Sequence, residues 1–290
     1  MSSRKLIINA KKESYNMFSV VIVNFNSGKY LEQAILSVLN QTYKNFELLI
    51  VDGGSKDNSV EIVKKYASKI SWWVSEPDKG QSDAFNKGFS HAKGDYFLWV
   101  NADDMILPSA LQIIQSEIEK HPGKKWFFCN TLYINVEGVI FENSRGCNFP
   151  LYISKHGNIM PCGPTTVFHR SLFEKYGGFP VDNHYTMDVE MWRRYVSKGE
   201  NYQTINRFCW VFRCHEESKT SAVFMGGTNE RVNKEMRIIN KKYNYKPYKF
   251  CILFQKAKRL IFCHPIMWYY NYHFKGKHID TMINIDNIKV

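Results

Sequence analysis

"DYFLWVNADD", residues 95–104, begins as a buried strand and ends on two adjacent carboxylates. Phe97, Leu98, Trp99 and Val100 form an unbroken apolar run, the pattern of a strand covered on both faces. Asn101, Asp103 and Asp104 follow at its exit. Adjacent like charges repel and are costly to bury without partners. The pair therefore calls either for a cation or for a capping role on the helix expected after "MILPSAL".

Upstream the same pattern repeats. "FSVVIVNF", residues 18–25, is β-branched and apolar, and "FELLIV", 46–51, runs into Asp52. "SWWVS", 71–75, is a third short strand. Between them Tyr30, Leu31, Ala34, Ile35, Val38 and Leu39 recur at helical spacing. Asp57 is placed to cap a helix carrying Val60, Ile62, Val63 and Tyr66, and "GQSDAFNKGFSHA", 80–92, is helical in character. Four strand–helix alternations with short linkers predict an α/β fold with a mostly parallel central sheet flanked by helices. Ligands of such sheets bind beyond the carboxyl ends of the strands. Asn24, Asp52, Glu76 to Asp78 and Asn101 to Asp104 all fall there, which marks a binding edge.

Further along, a helix is expected from Pro108 to about Lys120, then paired strands at 125–135 and 138–143. A strand at "TTVFHR", 165–170, leads into a short helix closed by Gly177 and Gly178. A helix from Asp188 to Gly199 and the strand "RFCWVFRCH", 207–215, complete this part, and basic helical segments follow from about residue 228.

Composition bounds the function. Of 290 residues 44% are hydrophobic and 15% aromatic, enough for a sizeable core and against disorder. The net charge is +12, yet between Glu235 and Asp280 no acid occurs while Lys and Arg occur ten times. The excess sits in the C-terminal segment. Seven scattered cysteines show neither C-x-x-C nor zinc-like spacing, and the basic N-terminus lacks an apolar secretory core, so reduced thiols in the cytoplasm are expected. Cys209 and Cys214 flank "WVFR", where packing is the expected role. No run of about 18 apolar residues predicts a membrane-spanning helix. Neither G-x-G-x-x-G nor a P-loop is present, so the phosphate-cradling loops are missing. Carboxylates can serve instead by holding a hard divalent cation that binds phosphate.

Residues 18–222 resemble inverting family 2 glycosyltransferases with the GT-A nucleotide-sugar fold. The resemblance rests on "SVVIVNFNSGKYLEQAILSVLNQTYKNFELLIVDGGSKDNS", "SEPDKGQSDAFNKGFSHAKGDYFLWVNADD" and "GPTTVFHRSLFEKYGGF" followed by "MDVEMWRR". It implies an N-terminal extension at 1–16, a GT-A domain at 17–227 and a basic helical tail at 228–290. Asp52 would accept the N3–H of a uracil-like base, with Asn24 lining the base and ribose pocket. Asp78, Gly80, Asp83 and Asn86 would border the ribose and sugar. Asp103 and Asp104 match the family's acidic metal and ribose region, although Asn101 replaces its first acid and Gly53 stands where a second acid usually follows Asp52. They would hold Mn²⁺ or Mg²⁺, with His215 completing the shell or touching the diphosphate and Arg213 as an alternative diphosphate contact. Asp188 matches the acceptor-side base; Glu190 is the fallback, and a helix-capping role for Asp188 is the bland alternative.

The implied activity is metal-dependent inverting transfer of one sugar from a nucleoside-diphosphate sugar, UDP favoured, to a hydroxyl of a glycan or lipid-linked acceptor in cell-surface polysaccharide synthesis. The Q-x-x-R-W pattern of processive members is absent. A sugar-phosphate nucleotidyltransferase would need a glycine- and arginine-rich loop that "NFNSGKYLEQ" does not supply. A nucleic-acid binder should spread its basic residues over the domain rather than collect them in a tail, so no nucleic-acid partner is expected. In that tail Phe250, Leu253, Phe254, Ala257, Leu260 and Ile261 recur at helical spacing, with Lys256, Lys258 and Arg259 on other faces and "MWYYNYHF" beyond. Such a helix suits an anionic membrane surface, peripheral on the inner face of the cytoplasmic membrane. Packing of the stripe against the domain is the other reading.

Overall fold

The computed structural model describes residues 16–158, 163–216, 218 and 230–281. The expected N-terminal extension, apart from Asn16, the boundary at 227/228 and the last nine residues lie outside that set.

Four strands run parallel in the order β3-β2-β1-β4: β1 (Phe18–Asn24), β2 (Phe46–Asp52), β3 (Trp72–Ser75) and β4 (Tyr96–Asn101). Their side chains alternate between two apolar layers, as the period of two requires. Val20, Ile22, Leu48, Ile50, Leu98 and Val100 face one layer, with α1 (Gly28–Leu39), α2 (Ser59–Lys65) and α4 (Ala110–Lys120). Val21, Val23, Leu49, Val51, Phe97 and Trp99 face the other, with α3 (Gln81–His91), α6 (Arg170–Tyr176) and α7 (Met187–Ser197). Burial on both faces explains why these strands read as continuous apolar runs. Asp57 does not cap α2 as expected. It stands one residue before the cap position, accepting from Ser59 N (3.1 Å) and Gly28 N (2.8 Å), and so ties the starts of α1 and α2 together.

Beyond β4 the sheet becomes mixed. β8 (Thr166–His169) pairs antiparallel to β4, β6 (Trp126–Ile134) antiparallel to β8, and β9 (Gln203–Arg213) parallel to β6. The two-residue β5 (Met105–Ile106) crosses to the far edge and pairs with β9, while β7 (Ile140–Ser144) pairs with β6. Asp103 and Asp104 therefore sit in the short crossing that leaves the parallel half for the mixed half. α5 (Leu151–His156) lies on the α7 face of the sheet.

The tail forms α8 (Glu230–Lys242), α9 (Lys249–Phe262) and α10 (His264–Phe274). It is attached by few apolar contacts: Cys251 joins the α7 layer, and Tyr270, Phe274 and Ile279 pack with residues of β6, β7 and β9. No helix among the described residues is long and apolar enough to cross a membrane. Cys209 is a free thiol buried in the sheet core, and Cys214 is a free thiol at its margin.

Candidate active site

The register brings the strand ends level. Asn24 pairs with Asp52, Asp52 with Ser75, and Val23 with Asn101. Asp52 is fully buried and its oxygens are already occupied. Oδ1 accepts from Asn24 Nδ2 (2.6 Å) and Ser55 Oγ (2.5 Å). Oδ2 accepts from Ser75 Oγ (2.6 Å), Ser55 N (3.0 Å) and Gly54 N (3.2 Å). Burial alone would raise this carboxyl, but the bonds from Ser55, Ser75 and Asn24 outweigh it and hold the group below its ordinary value. This differs from the expected base acceptor, because Asp52 spends its lone pairs building the floor of the edge. Two neighbours also bring acceptor atoms to this edge. Asn24 Oδ1 is a buried acceptor with no hydrogen-bond partner among the described residues. Asp78 Oδ2 lies 2.7 Å from where a side chain at Gly53 would begin, so its carboxylate fills the place of the acid that Gly53 lacks.

At the end of β4 the two acids have separate environments. Asp104 is buried, with Oδ1 accepting from Arg213 N (3.0 Å) and Oδ2 from Asn101 Nδ2 (2.8 Å). Burial first and the charge of Asp103 second push its carboxyl well above the usual range. The capping role does not fit that geometry, since α4 begins only at Ala110, and each oxygen of the buried Asp104 already carries one hydrogen bond, which leaves it less open to an ion than Asp103. Asp103 is different. Its side chain is 25% exposed, and Oδ2 lies 2.9 Å from His215 Nε2. These two have the donor types and proximity to share one Mg²⁺ or Mn²⁺ ion. No group of three His, Cys, Asp or Glu forms a cage among the described residues, and such hard cations commonly complete their shell with water and substrate phosphate. Arg213 is no diphosphate contact. Its guanidinium turns inward to the carbonyls of Asp103, Asn135 and Val136 and to Gln33 Oε1, over the Tyr30 ring.

The start of α3 joins this edge to α7. Gly80, at φ +110°, gives its N–H to Asp78 Oδ1 (2.7 Å), and a Cβ there would lie 3.3 Å from His184 Nδ1. Gln81 Nε2 donates to Asn101 Oδ1 (3.0 Å), and Ser82 Oγ reaches Asn183 O (3.1 Å) and Met187 Sδ (3.0 Å). One helical turn thus touches both the end of β4 and the entry to α7. Asp83 and Asn86 are used otherwise than expected. Asp83 Oδ2 accepts from Lys79 N (3.0 Å), and both amide atoms of Asn86 bond to the backbone of Phe179.

Asp188 lies in the first turn of α7, two residues past the cap position at Thr186, and its Oδ1 accepts from the adjacent Val189 N (2.7 Å). It is not the helix cap. Burial pushes its carboxyl up to about 6, against backbone hydrogen bonds that lower it, and the negative charge of Glu235 adds to the rise. Gly163 packs directly on it: a Cβ at that position would overlap Asp188 Oδ2. Trp192, one turn on, donates Nε1 to Thr166 Oγ1 (3.0 Å) and fixes the helix on the sheet. Glu190, the fallback base, is buried and bound to Lys242 Nζ (2.7 Å), Arg194 NH2 (3.0 Å) and the Tyr243 hydroxyl, which leaves it no role as a free base.

Comparison with known proteins agrees with this architecture. The sequence profile of glycosyl transferase family 2 matches residues 19–177, more than half of the chain. The chain belongs to that family. An uncharacterized glycosyltransferase of Rickettsia typhi is 29% identical over 203 residues, covering 66% of this chain and 63% of that protein. A cholesterol galactosyltransferase of Borreliella burgdorferi is 30% identical over 167 residues, 57% of this chain and 44% of that protein. The chain thus spans less than two-thirds of either relative. Among solved structures, S. aureus TarS 1–349 in complex with UDP-GlcNAc has a TM-score of 0.61 at 18% identity, covering 94% of this chain and 76% of that one. The mannosyltransferase PcManGT of Pyrobaculum calidifontis, in complex with GDP-Man and Mn²⁺, has a TM-score of 0.61 at 16% identity, covering 95% and 78%. These establish a GT-A fold.

Proposed function

We propose that the chain transfers a single sugar from a nucleoside-diphosphate sugar to an acceptor hydroxyl, with inversion and with Asp188 as the base. The observation that carries this reading is the first turn of α3, which contacts Asn101 on one side and Asn183 and Met187 on the other. It supports reading the Asp103–His215 pair and the Asp188 carboxyl as the two sides of one site. Asp103 and His215 would hold the Mn²⁺ or Mg²⁺ ion, which when bound supplies positive charge against the leaving diphosphate. Asn24 Oδ1, with its unused lone pair, or Asp78 would accept the single N3–H of a uracil-like base, which is the basis for favouring UDP. Asp188, whose carboxyl burial raises to about 6, takes the proton of the acceptor hydroxyl. The alkoxide oxygen bonds to the anomeric carbon as the bond to the diphosphate breaks, and that electron pair leaves with the nucleoside diphosphate. A thermal-shift screen of UDP-, GDP- and dTDP-sugars with Mn²⁺ tests the donor. Stabilisation by UDP-sugars above the others is expected, and none by any nucleotide sugar would contradict the reading.

The tail supports an anionic bilayer as docking partner and a lipid-linked acceptor. α9 lies with its apolar stripe outward: Phe250 is 69% exposed, and Leu253, Phe254, Ala257, Leu260 and Ile261 are exposed with it. Cys251 and Gln255 are buried instead, and Lys258 Nζ donates to Asn148 O (2.7 Å). On α10, Trp268 and Tyr272 are 72% and 75% exposed. Ten basic residues and no acid between Glu235 and Asp280 provide the charge complementarity, about 1 kcal/mol for each one that reaches the surface. Leu253→Glu with Ile261→Glu should release the chain from phosphatidylglycerol vesicles. Equal binding by both forms, or a dimer that covers the stripe, would contradict membrane docking.

A further inference from the structure

We infer that Glu235 of α8 is a positioning residue for Asp188, so that the first tail helix is part of the mount of the proposed base. This rests on the reading of Asp188 as base. The first N–H groups of a helix lack partners within it and present positive charge to whatever lies there. Ahead of α7 three successive N–H groups converge on one carboxylate from about fifty residues away. His184 N donates to Glu235 Oε1 (3.0 Å), and Tyr185 N (2.9 Å) and Thr186 N (3.0 Å) donate to Oε2. Thr186 Oγ1 lies 3.1 Å from the same oxygen. The Thr186 side chain makes no capping bond to the helix N–H groups; Asn183 Oδ1 also accepts from Thr186 N (2.9 Å) and Oγ1 (3.2 Å), and the anchor from outside this turn comes from α8.

α8 also grips α7 beyond Asp188. Lys242 and Tyr243 hold Glu190, and Arg231 NH1 donates to the Tyr185 hydroxyl (2.9 Å). Contacts at 184–186 and at 190 thus bracket residue 188. A short helix start held at both ends fixes the direction in which Asp188 projects against Gly163. Glu235 also acts through its charge, which opposes ionisation of Asp188. The other titratable groups near this start are the exposed His184, beside Gly80 of the α3 turn, the Arg231–Tyr185 pair, and the cluster of Glu190 with Arg194, Lys242 and Tyr243, one step further along the helix.

The test uses the full chain and three readouts on Glu235→Gln and Glu235→Asp. The first is the ¹³C carboxyl titration of Asp188, assigned by its loss in Asp188→Asn. Its midpoint should move to lower pH in Glu235→Gln, where the opposing charge is gone, and return toward wild type in Glu235→Asp. The second is UDP affinity with Mn²⁺, which should stay within about twofold, since Glu235 touches no group of the strand-end edge. The third is turnover of whichever UDP- or GDP-sugar gives the fastest nucleotide release. Here kcat should fall by about 10²-fold in Glu235→Gln with little change in KM for the donor, the scale of a small misplacement of a reacting group. An unmoved midpoint with unchanged kcat would overturn the inference, as would joint loss of UDP binding and turnover, which marks a general folding role. Full activity in Asp188→Asn would instead overturn the base assignment itself.

Discussion

Asn24, Asp52, Ser75 and Asn101 come from the ends of four neighbouring strands and are levelled by sheet register alone. At the start of α7, by contrast, Gly163, Asp188 and Glu235 come from a turn, a helix start and a tail helix, and only side-chain and backbone contacts hold them together. The strand-end side is dense in hydrogen bonds, five of them on Asp52, and is rigid by construction. On the α7 side the one carboxyl of Asp188 has only local backbone hydrogen bonds and is shifted up by burial. A preformed edge suits binding, whereas a buried acid with a raised carboxyl suits proton transfer. Changes on the two sides should therefore separate binding from turnover.

The largest separation is expected from Asp188→Asn. Transfer should fall by about 10³-fold, the range of a lost general base, while UDP affinity stays within about twofold. Retained transfer would end the assignment. Next is Gly163→Ala, whose Cβ would displace the Asp188 carboxylate without removing it. A fall of about 10²-fold in kcat is expected, with unchanged melting of the fold, and an active variant would mean that the position of Asp188 is not critical.

The same burial has a sign that can be measured. The Asp188 carboxyl is raised from an ordinary 3.8 to about 6 in the folded chain, so the folded state binds its proton more tightly than the unfolded chain does. That contribution is fully present below about pH 4 and is lost as pH rises through 6. At pH 8 Asp188→Asn should therefore be more stable than wild type by on the order of 2 kcal/mol, with the gap closing toward pH 4. Urea denaturation across that range checks it, and a constant gap would contradict the raised carboxyl. On the opposite side Asp104→Ala should cost about 2 kcal/mol at pH 7, because it strands Arg213 N and Asn101 Nδ2 in a buried place. Nucleotide binding by the folded fraction should change little. A large specific loss of binding would restore Asp104 to the ion site.

Much of this division was visible in the chain itself. The continuous apolar runs of β1, β2 and β4 exist because helices cover both faces, and a strand's exit can be counted to the residue. Asn24, Asp52 and Asp103 could therefore be placed at one edge. Which acid remains available could not be read that way. Asp52 takes one of its five hydrogen bonds from Ser75, which arrives on a neighbouring strand, and Asp104 takes one of its two from the N–H of Arg213, 109 residues on. Arg213 and Asn86 carry side chains suited to a ligand but meet backbone carbonyls first. The stripe on α9 had the right spacing, but spacing says nothing about which way a stripe faces. Glu235 gave no local signal, since its partners lie about fifty residues away.

The central claim is that Asp103 serves the nucleotide's ion while Asp188 serves the acceptor's proton. Titrating UDP into wild type, Asp103→Ala and Asp188→Asn, each with and without Mn²⁺, tests it most directly. Asp103→Ala should lose the Mn²⁺-dependent part of the affinity, about 2 kcal/mol or about 30-fold for one charge-assisted ligand, while Asp188→Asn keeps it. Equal losses in the two variants, or an Mn²⁺ dependence untouched by Asp103→Ala, would contradict the account.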